Sequence, residues 1–340
     1  MQFDIAMPFA LFAITMAAMF LNKRVEGKLK KTFEEREFRN RDSFLFAAMV
    51  TVMVSVVIFV PEMAILTLFM FSYFSLLFTF SYIFSGMSKR RAQLFCLIFG
   101  VAGLAAGTVA VLSPVADSVM FYGGWALCGL GAFALFAMVY ERTRATTRER
   151  LYLAVLPPAL FTIVFFVFNS TPVWFPFLFN VFGIVFAILI TLYLASLFTW
   201  KTTVIFAAVL TVIDFILVLV IPVMEAAATH VAGLGLPVVI VLPIVPPIAT
   251  SGGLFGLQPI ALGLGDFFFA GTLATQTYKK FGKRAAVISA VTMSVAFGVF
   301  EILLLSTDFG AFPGTLMIIF GWVPIVAWKL LAEKRNKKLR

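Results

Sequence analysis

Eleven stretches of this chain stay apolar for about as long as a helix needs to cross a bilayer, and they recur along its whole length. A hydrocarbon core of about 30 Å takes roughly 20 helical residues. The stretches run over about 2–21, 44–60, 62–85, 94–112, 118–140, 151–168, 177–198, 202–221, 258–278, 285–305 and 312–329. No polar loop separates the pair that meets at Pro61-Glu62, but one helix over 44–85 would be far too long for a single crossing, so two spans are expected. With 62% hydrophobic and 12% charged residues, the chain has too few polar groups to cover a water-facing surface. The expected fold class is therefore an all-α polytopic membrane protein with about 11 transmembrane helices. A soluble enzyme, a disulfide scaffold, a disordered chain and a nucleic-acid binder are excluded on the same ground.

The net charge of +10 follows the topology. With the N-terminus placed outside and sides alternating, the inside segments hold eight Lys/Arg in 22–43, three in 86–93 and four in 141–150. They hold one more at Lys201, four in 279–284 and six from Lys329 to Arg340, which accounts for all 26, and the outside connections hold none. The positive-inside rule then puts the N-terminus outside and the C-terminus in the cytoplasm. The first span has no basic segment before it and no small-residue cleavage site after it, so it reads as a retained anchor. The basic loop 22–43, with Phe33 and Phe38, is either an ordinary cytoplasmic loop or a segment lying on the anionic inner leaflet. Cys96 and Cys128 fall inside apolar spans and read as small core residues. Gly103 and Gly107 have the spacing of a close-packed helix face.

Acidic residues are the informative minority. Of 16 Asp and Glu, five lie on outside segments (Asp4, Glu62, Asp117, Glu225, Asp308) and eight on inside segments. Three remain within spans: Asp214, Asp266 and Glu301. Glu301 sits near the outer end of its helix, within expected reach of the interface. The other two are deep, where a carboxylate costs roughly 2.5–3.5 kcal/mol. Asp214 lies about twelve residues into an outward-running helix and Asp266 about eight residues into the next, inward-running one, so both are expected roughly 18 Å from the inner face. Two carboxyls at one depth in a low-dielectric site share a proton instead of both ionising. Such a pair can deprotonate a water with one oxygen while the protonated partner polarises a carbonyl. The same pair can also hold a proton or a coupling cation in a transporter.

The connection 222–257 is long but not hydrophilic. Val238–Leu242 reads as a short extended run, and Pro243, Pro246, Pro247, Gly252, Gly253 and Gly256 forbid one continuous helix. Gly252 and Gly256 read as loop glycines. His230, the only histidine, has no Cys or acidic ligand set nearby and reads as a loop residue, so no metal and no organic cofactor is indicated.

Gly263-Leu264-Gly265-Asp266, continued by Phe267-Phe268-Phe269, resembles the Gly-Leu-Gly-Asp signature of the presenilin and signal peptide peptidase family of intramembrane aspartyl proteases. Asp214, in Ile213-Asp214-Phe215, stands one helix upstream, where that family has its first catalytic Asp. Pro313-Gly314-Thr315-Leu316 opens the second helix after Asp266, where the family carries Pro-Ala-Leu. Prepilin-type peptidases share Gly-x-Gly-Asp but follow it with a Val-Lys-like pair, which Phe267-Phe268 does not match. The resemblance covers about 202–329 and departs from the family at Ile213, where an aromatic is usual, and at Gly314-Thr315.

The resemblance implies a presenilin-like catalytic bundle towards the C-terminal side, preceded by extra N-terminal helices. It implies Asp214 and Asp266 as catalytic residues, and Gly263, Leu264, Gly265, Pro313, Gly314, Thr315 and Leu316 as residues that hold the substrate. The organisation expected is N-terminal helices in 1–85, scaffold helices in 86–201, and catalytic helices with a basic tail in 202–340. The expected partners are the bilayer and transmembrane-helix substrates, cut by water after local unwinding, with Val238–Leu242 as a strand for the unwound segment to pair with. The alternatives are a proton- or cation-coupled transporter using the same acids, and a catalytically silent relative.

Overall fold

The computed structural model describes residues 3–33, 38–57, 59–114, 117–144, 150–220, 227, 230, 231, 233–248, 254, 257–306 and 312–338. Gly252, Gly253, Gly256, Glu225 and Asp308 lie outside the described residues. Eleven α-helices form within them: α1 (Ala6–Phe33), α2 (Asn40–Val57), α3 (Glu62–Phe84), α4 (Lys89–Leu112), α5 (Ser118–Thr143), α6 (Leu151–Phe168), α7 (Phe179–Leu197), α8 (Trp200–Phe215), α9 (Leu264–Phe281), α10 (Lys283–Ser306) and α11 (Gly314–Lys338). Nine of them are long and apolar enough to cross a membrane. The other two are α2, which opens on Asn40-Arg41-Asp42, and α9, which carries Asp266, Lys279 and Lys280. Large apolar side chains stand exposed along the helices, among them Phe9 at 65%, Phe136 at 70% and Leu112 at 78%, as acyl chains require.

Two helix boundaries differ from expectation. The basic segment 22–43 is mostly helix, since α1 runs to Phe33 and α2 starts at Asn40. Its Lys and Glu residues are good helix formers, and Glu26 pairs with Lys30 at 3.1 Å one turn on. The stretch 258–278 begins as strand. Pro259–Gly263 forms β2, antiparallel to β1 (Val239–Pro243) in the register Val239↔Gly263, Ile240↔Leu262, Val241↔Ala261. Pro259 has no N–H to donate and Gly263 and Gly265 weaken a helix, so helix α9 starts only at Leu264.

The chain divides into two compact units, 62–179 and the remainder. Within 62–179, α4 and α5 pack closely through glycines. A Cβ on Gly103 would stand 3.0 Å from the Gly131 Cα, and one on Gly107 would stand 2.7 Å from the Gly124 carbonyl. Cys96 is buried in a core with Ala92, Ala134, Ala137, Leu153 and Leu156, and both cysteines are free. A buried charge cluster ties the helix ends. Arg150 Nε donates to Glu141 Oε1 at 2.8 Å, and its Nη1 donates to the Ser85 and Met87 carbonyls at 3.2 and 2.7 Å. The Tyr152 hydroxyl donates to the same Glu141 oxygen.

In the other unit, α9 is the central helix. Phe267 to Thr277 are buried without a break, so no face is left for solvent or lipid along that run. Helices α1, α7, α8, α10 and α11 surround it, and Gly271 lets α9 approach Thr191 of α7, with a Cβ there only 2.5 Å from the Thr191 side chain. Phe198, Phe206, Phe268 and Phe269 pack together at the α8–α9 contact. Asp4 caps α1 by accepting from Ala6 N and Met7 N at 3.0 and 2.8 Å, and Thr199 and Thr202 form a capping box for α8.

Glu301 is 1% exposed, and among the described residues neither of its carboxyl oxygens has a hydrogen-bond partner. Gly298, one turn earlier on α10, lies against Pro8 of α1.

Candidate active site

Asp214 is the penultimate residue of α8, just before the helix loosens into a π-type turn over Ile216–Val220. Turns of that kind are frequent at functional sites. The side chain is 6% exposed. Asp266 is the third residue of α9, not the eighth of a longer helix, so helical rise does not set its depth. From that position its carboxyl reaches back to the backbone of Gly263, the residue that ends β2 and caps α9. This is half of a capping box.

The two acids are brought together by the start of α11. Pro313 is buried and its carbonyl accepts from Leu316 N at 3.2 Å and Met317 N at 3.3 Å, which fixes the first turn. The next two residues each address one carboxyl. Gly314 lies against Asp266: a Cβ there would stand 2.5, 2.7 and 3.0 Å from Oδ1, Cγ and Oδ2. Thr315 is buried and addresses Asp214, with Oγ1 donating to Oδ2 at 2.5 Å and the backbone N–H donating to the same oxygen at 3.4 Å. Asp266 is also near enough to Asp214 for the two carboxyls to repel when both are charged. Among the described residues, neither carboxyl has a hydrogen bond or ion pair with a Lys, Arg or His.

The remaining candidate residues lie around this pair. Leu264 is buried and its N–H donates to the Val238 carbonyl at 3.0 Å, which joins the Asp266 segment to β1. Gly265, next to Asp266 in the chain, is exposed, and among the described residues nothing lies within 4 Å of where its Cβ would be. Leu316 is half-buried, its amide engaged by Pro313.

Asn180, inside an apolar span, was missed as a candidate. Its Nδ2 donates to the Val241 carbonyl at 2.6 Å and its Oδ1 accepts from Val241 N at 2.8 Å. A lone amide among apolar residues was the available signal. Val241 therefore faces away from β2, and by the alternation of antiparallel pairs its partner Ala261 turns its own N–H and C=O outward on the far edge. Strand β1 has β2 on one edge and Asn180 on the other, so among the described residues the edge left open is that of β2 at exposed Ala261.

His230 is half-buried, and among the described residues its Nε2 has no hydrogen-bond partner. Among the described residues no three His, Cys, Asp or Glu side chains group in a way that could hold a metal ion. Compared with models of known families, with curated proteins and with solved structures, the chain has no match.

Proposed function

We propose that this protein is an intramembrane aspartyl endopeptidase, with its N-terminus outside and its C-terminus in the cytoplasm. Asp214 and Asp266 are its catalytic residues. The observation that carries this reading is the pairing itself. Two carboxyls on different helices of a membrane protein lie near enough to interact, have no basic partner among the described residues, and are each met by one of two consecutive residues of a third helix. Ionisable residues inside a membrane are rare, face the bundle interior and pair with one another where protons are handled; a pair that shares one proton is poised for acid–base work.

One carboxylate takes a proton from water as the oxygen attacks the peptide carbonyl carbon, and the other carboxyl gives its proton to the carbonyl oxygen. The resulting diol collapses as the C–N bond breaks and the amine leaves with a proton, so the sum is one water consumed per bond. Burial strengthens both transfers by excluding competing water.

The substrate is a membrane-embedded helix, whose carbonyls are hidden in its own hydrogen bonds until a segment unwinds. An unwound segment would add to the open edge of β2 at Ala261, not to β1, whose outer edge Asn180 fills. Strand β2 leads directly into Gly263-Leu264-Gly265-Asp266, and the space beside Gly265 admits a backbone close to the carboxyl.

The test uses purified protein in liposomes with a reporter transmembrane helix. Wild type cleaves it, and Asp214→Asn and Asp266→Asn do not. Cation- or proton-coupled uptake without cleavage, abolished by the same substitutions, would establish a transporter instead.

A further inference from the structure

The two carboxyls are not equivalent in their surroundings. Asp214 Oδ2 receives two donors from one residue, the Thr315 hydroxyl at 2.5 Å and the Thr315 N–H at 3.4 Å. An O–H···O contact of that length lies in the range of charge-assisted bonds to a carboxylate, shorter than the usual neutral hydroxyl bond. The N–H can only donate, so that oxygen is an acceptor. Thr315 is the second residue of α11, where the backbone N–H groups have no intrahelical partner and the helix presents its positive end. Asp266 faces Gly314, which offers no side chain, and reaches back to the Gly263 backbone.

We propose that Thr315 is a positioning residue that divides the labour of the pair. It holds Asp214 as the carboxylate that takes the proton from water, and leaves the shared proton on Asp266, which protonates the peptide carbonyl. This rests on the reading of Asp214 and Asp266 as a proteolytic pair, and adds which of them is base and which is acid. Burial opposes charge on Asp214, and the two donors of Thr315 offset part of that cost, a pair of contacts that Asp266 does not receive from Gly314. The hydroxyl is therefore the working part of the side chain, and its methyl group is packing. The position where the resembling family carries Leu has gained a hydrogen-bond donor in this chain.

Two measurements test it. The first compares reporter cleavage in liposomes by wild type, Thr315→Val and Thr315→Ser. Valine keeps the shape and removes the donor, so kcat falls about ten- to hundredfold with KM unchanged. Serine keeps the donor and restores kcat to within about threefold of wild type, whereas a packing role would make valine the better substitute. Equal rates for wild type and Thr315→Val overturn the inference while leaving the protease reading intact. Absence of cleavage by wild type overturns both.

The second measurement needs no activity. Infrared difference spectra of the full-length protein are recorded near neutral pH for wild type against Asp214→Asn and Asp266→Asn. The first difference loses an ionised-carboxylate band, and the second loses the C=O band of a protonated carboxyl. The reverse pattern overturns the assignment.

Discussion

Gly314→Ala is the smallest change that tests the geometry of the pair. The added Cβ would stand 2.5 Å from Asp266 Oδ1, against the 3.4 Å at which ordinary contact begins, so the carboxyl has to retreat by about 0.9 Å (3.4 less 2.5). The atoms it meets belong to a side chain on the first turn of α9, which can rotate, so the fold absorbs the change. Absorbed as strain, an extra methyl in a packed site costs about 1–3 kcal/mol. Expressed in catalysis, a misplacement of about 1 Å costs about a hundredfold. The expected outcome is a fall of about a hundredfold in kcat for reporter cleavage, with KM little changed and thermal unfolding within a few degrees of wild type. Gly129→Ala is the control, because nothing lies within 4 Å of a Cβ there. Wild-type kcat for Gly314→Ala, or an equal loss for Gly129→Ala, would refute the reasoning. The test is pointed because alanine at this position would make the segment more like Pro-Ala-Leu.

The other predictions concern the frame of the site and the route of the substrate. Arg150→Met leaves the buried Glu141 carboxylate with only Arg144 at 3.5 Å and the Tyr152 hydroxyl, and should cost about 1–3 kcal/mol of stability in detergent, much of it recovered in Arg150→Met/Glu141→Gln; a single variant as stable as wild type contradicts the buried pair. Glu301→Leu removes a buried carboxyl that has no hydrogen-bond partner among the described residues, so the midpoint of thermal unfolding should rise, by about 1 kcal/mol in stability, and a fall would mean that the carboxyl is satisfied. Ala261→Pro deletes the outward N–H of β2 without touching its ladder to β1, so cleavage should drop about tenfold at unchanged stability; an unchanged rate excludes that edge as the substrate's partner.

Much of this was readable from local pattern. Ten of the eleven apolar stretches became one α-helix each, including the two that meet at Pro61, because Pro61 and Glu62 break one helix and start the next within a few residues. The other, 258–278, became β2 followed by α9, and nine of the helices are long and apolar enough to cross a membrane. Asp214 and Asp266 stood out because an acid inside an apolar stretch is rare enough to be noticed alone. What stayed hidden depends on partners far along the chain. The strand over Pro259–Gly263 reads as part of a span, since a short apolar run does not distinguish a buried strand from a helix, and its partner begins 20 residues earlier at Val239. Thr315 reaches Asp214 across 101 residues and Asn180 reaches Val241 across 61, and no spacing rule anticipates either bond. The burial of Glu301 is hidden for the same reason: its position on α10 is local, but the packing of Gly298, one turn earlier, against Pro8 of α1 is not. Arg150 and Glu141 read as two more charges of a cytoplasmic segment, and only the packed helix ends turn them into a buried pair.

The most direct test of the account is the intact mass of what wild-type protein releases from a reporter helix in liposomes, beside Asp214→Asn and Asp266→Asn. The account predicts two fragments from wild type whose masses sum to that of the reporter plus one water, with the cut bond inside its apolar segment. Neither variant should produce them. Intact reporter after exposure to wild type, or the same fragments from either variant, would contradict it.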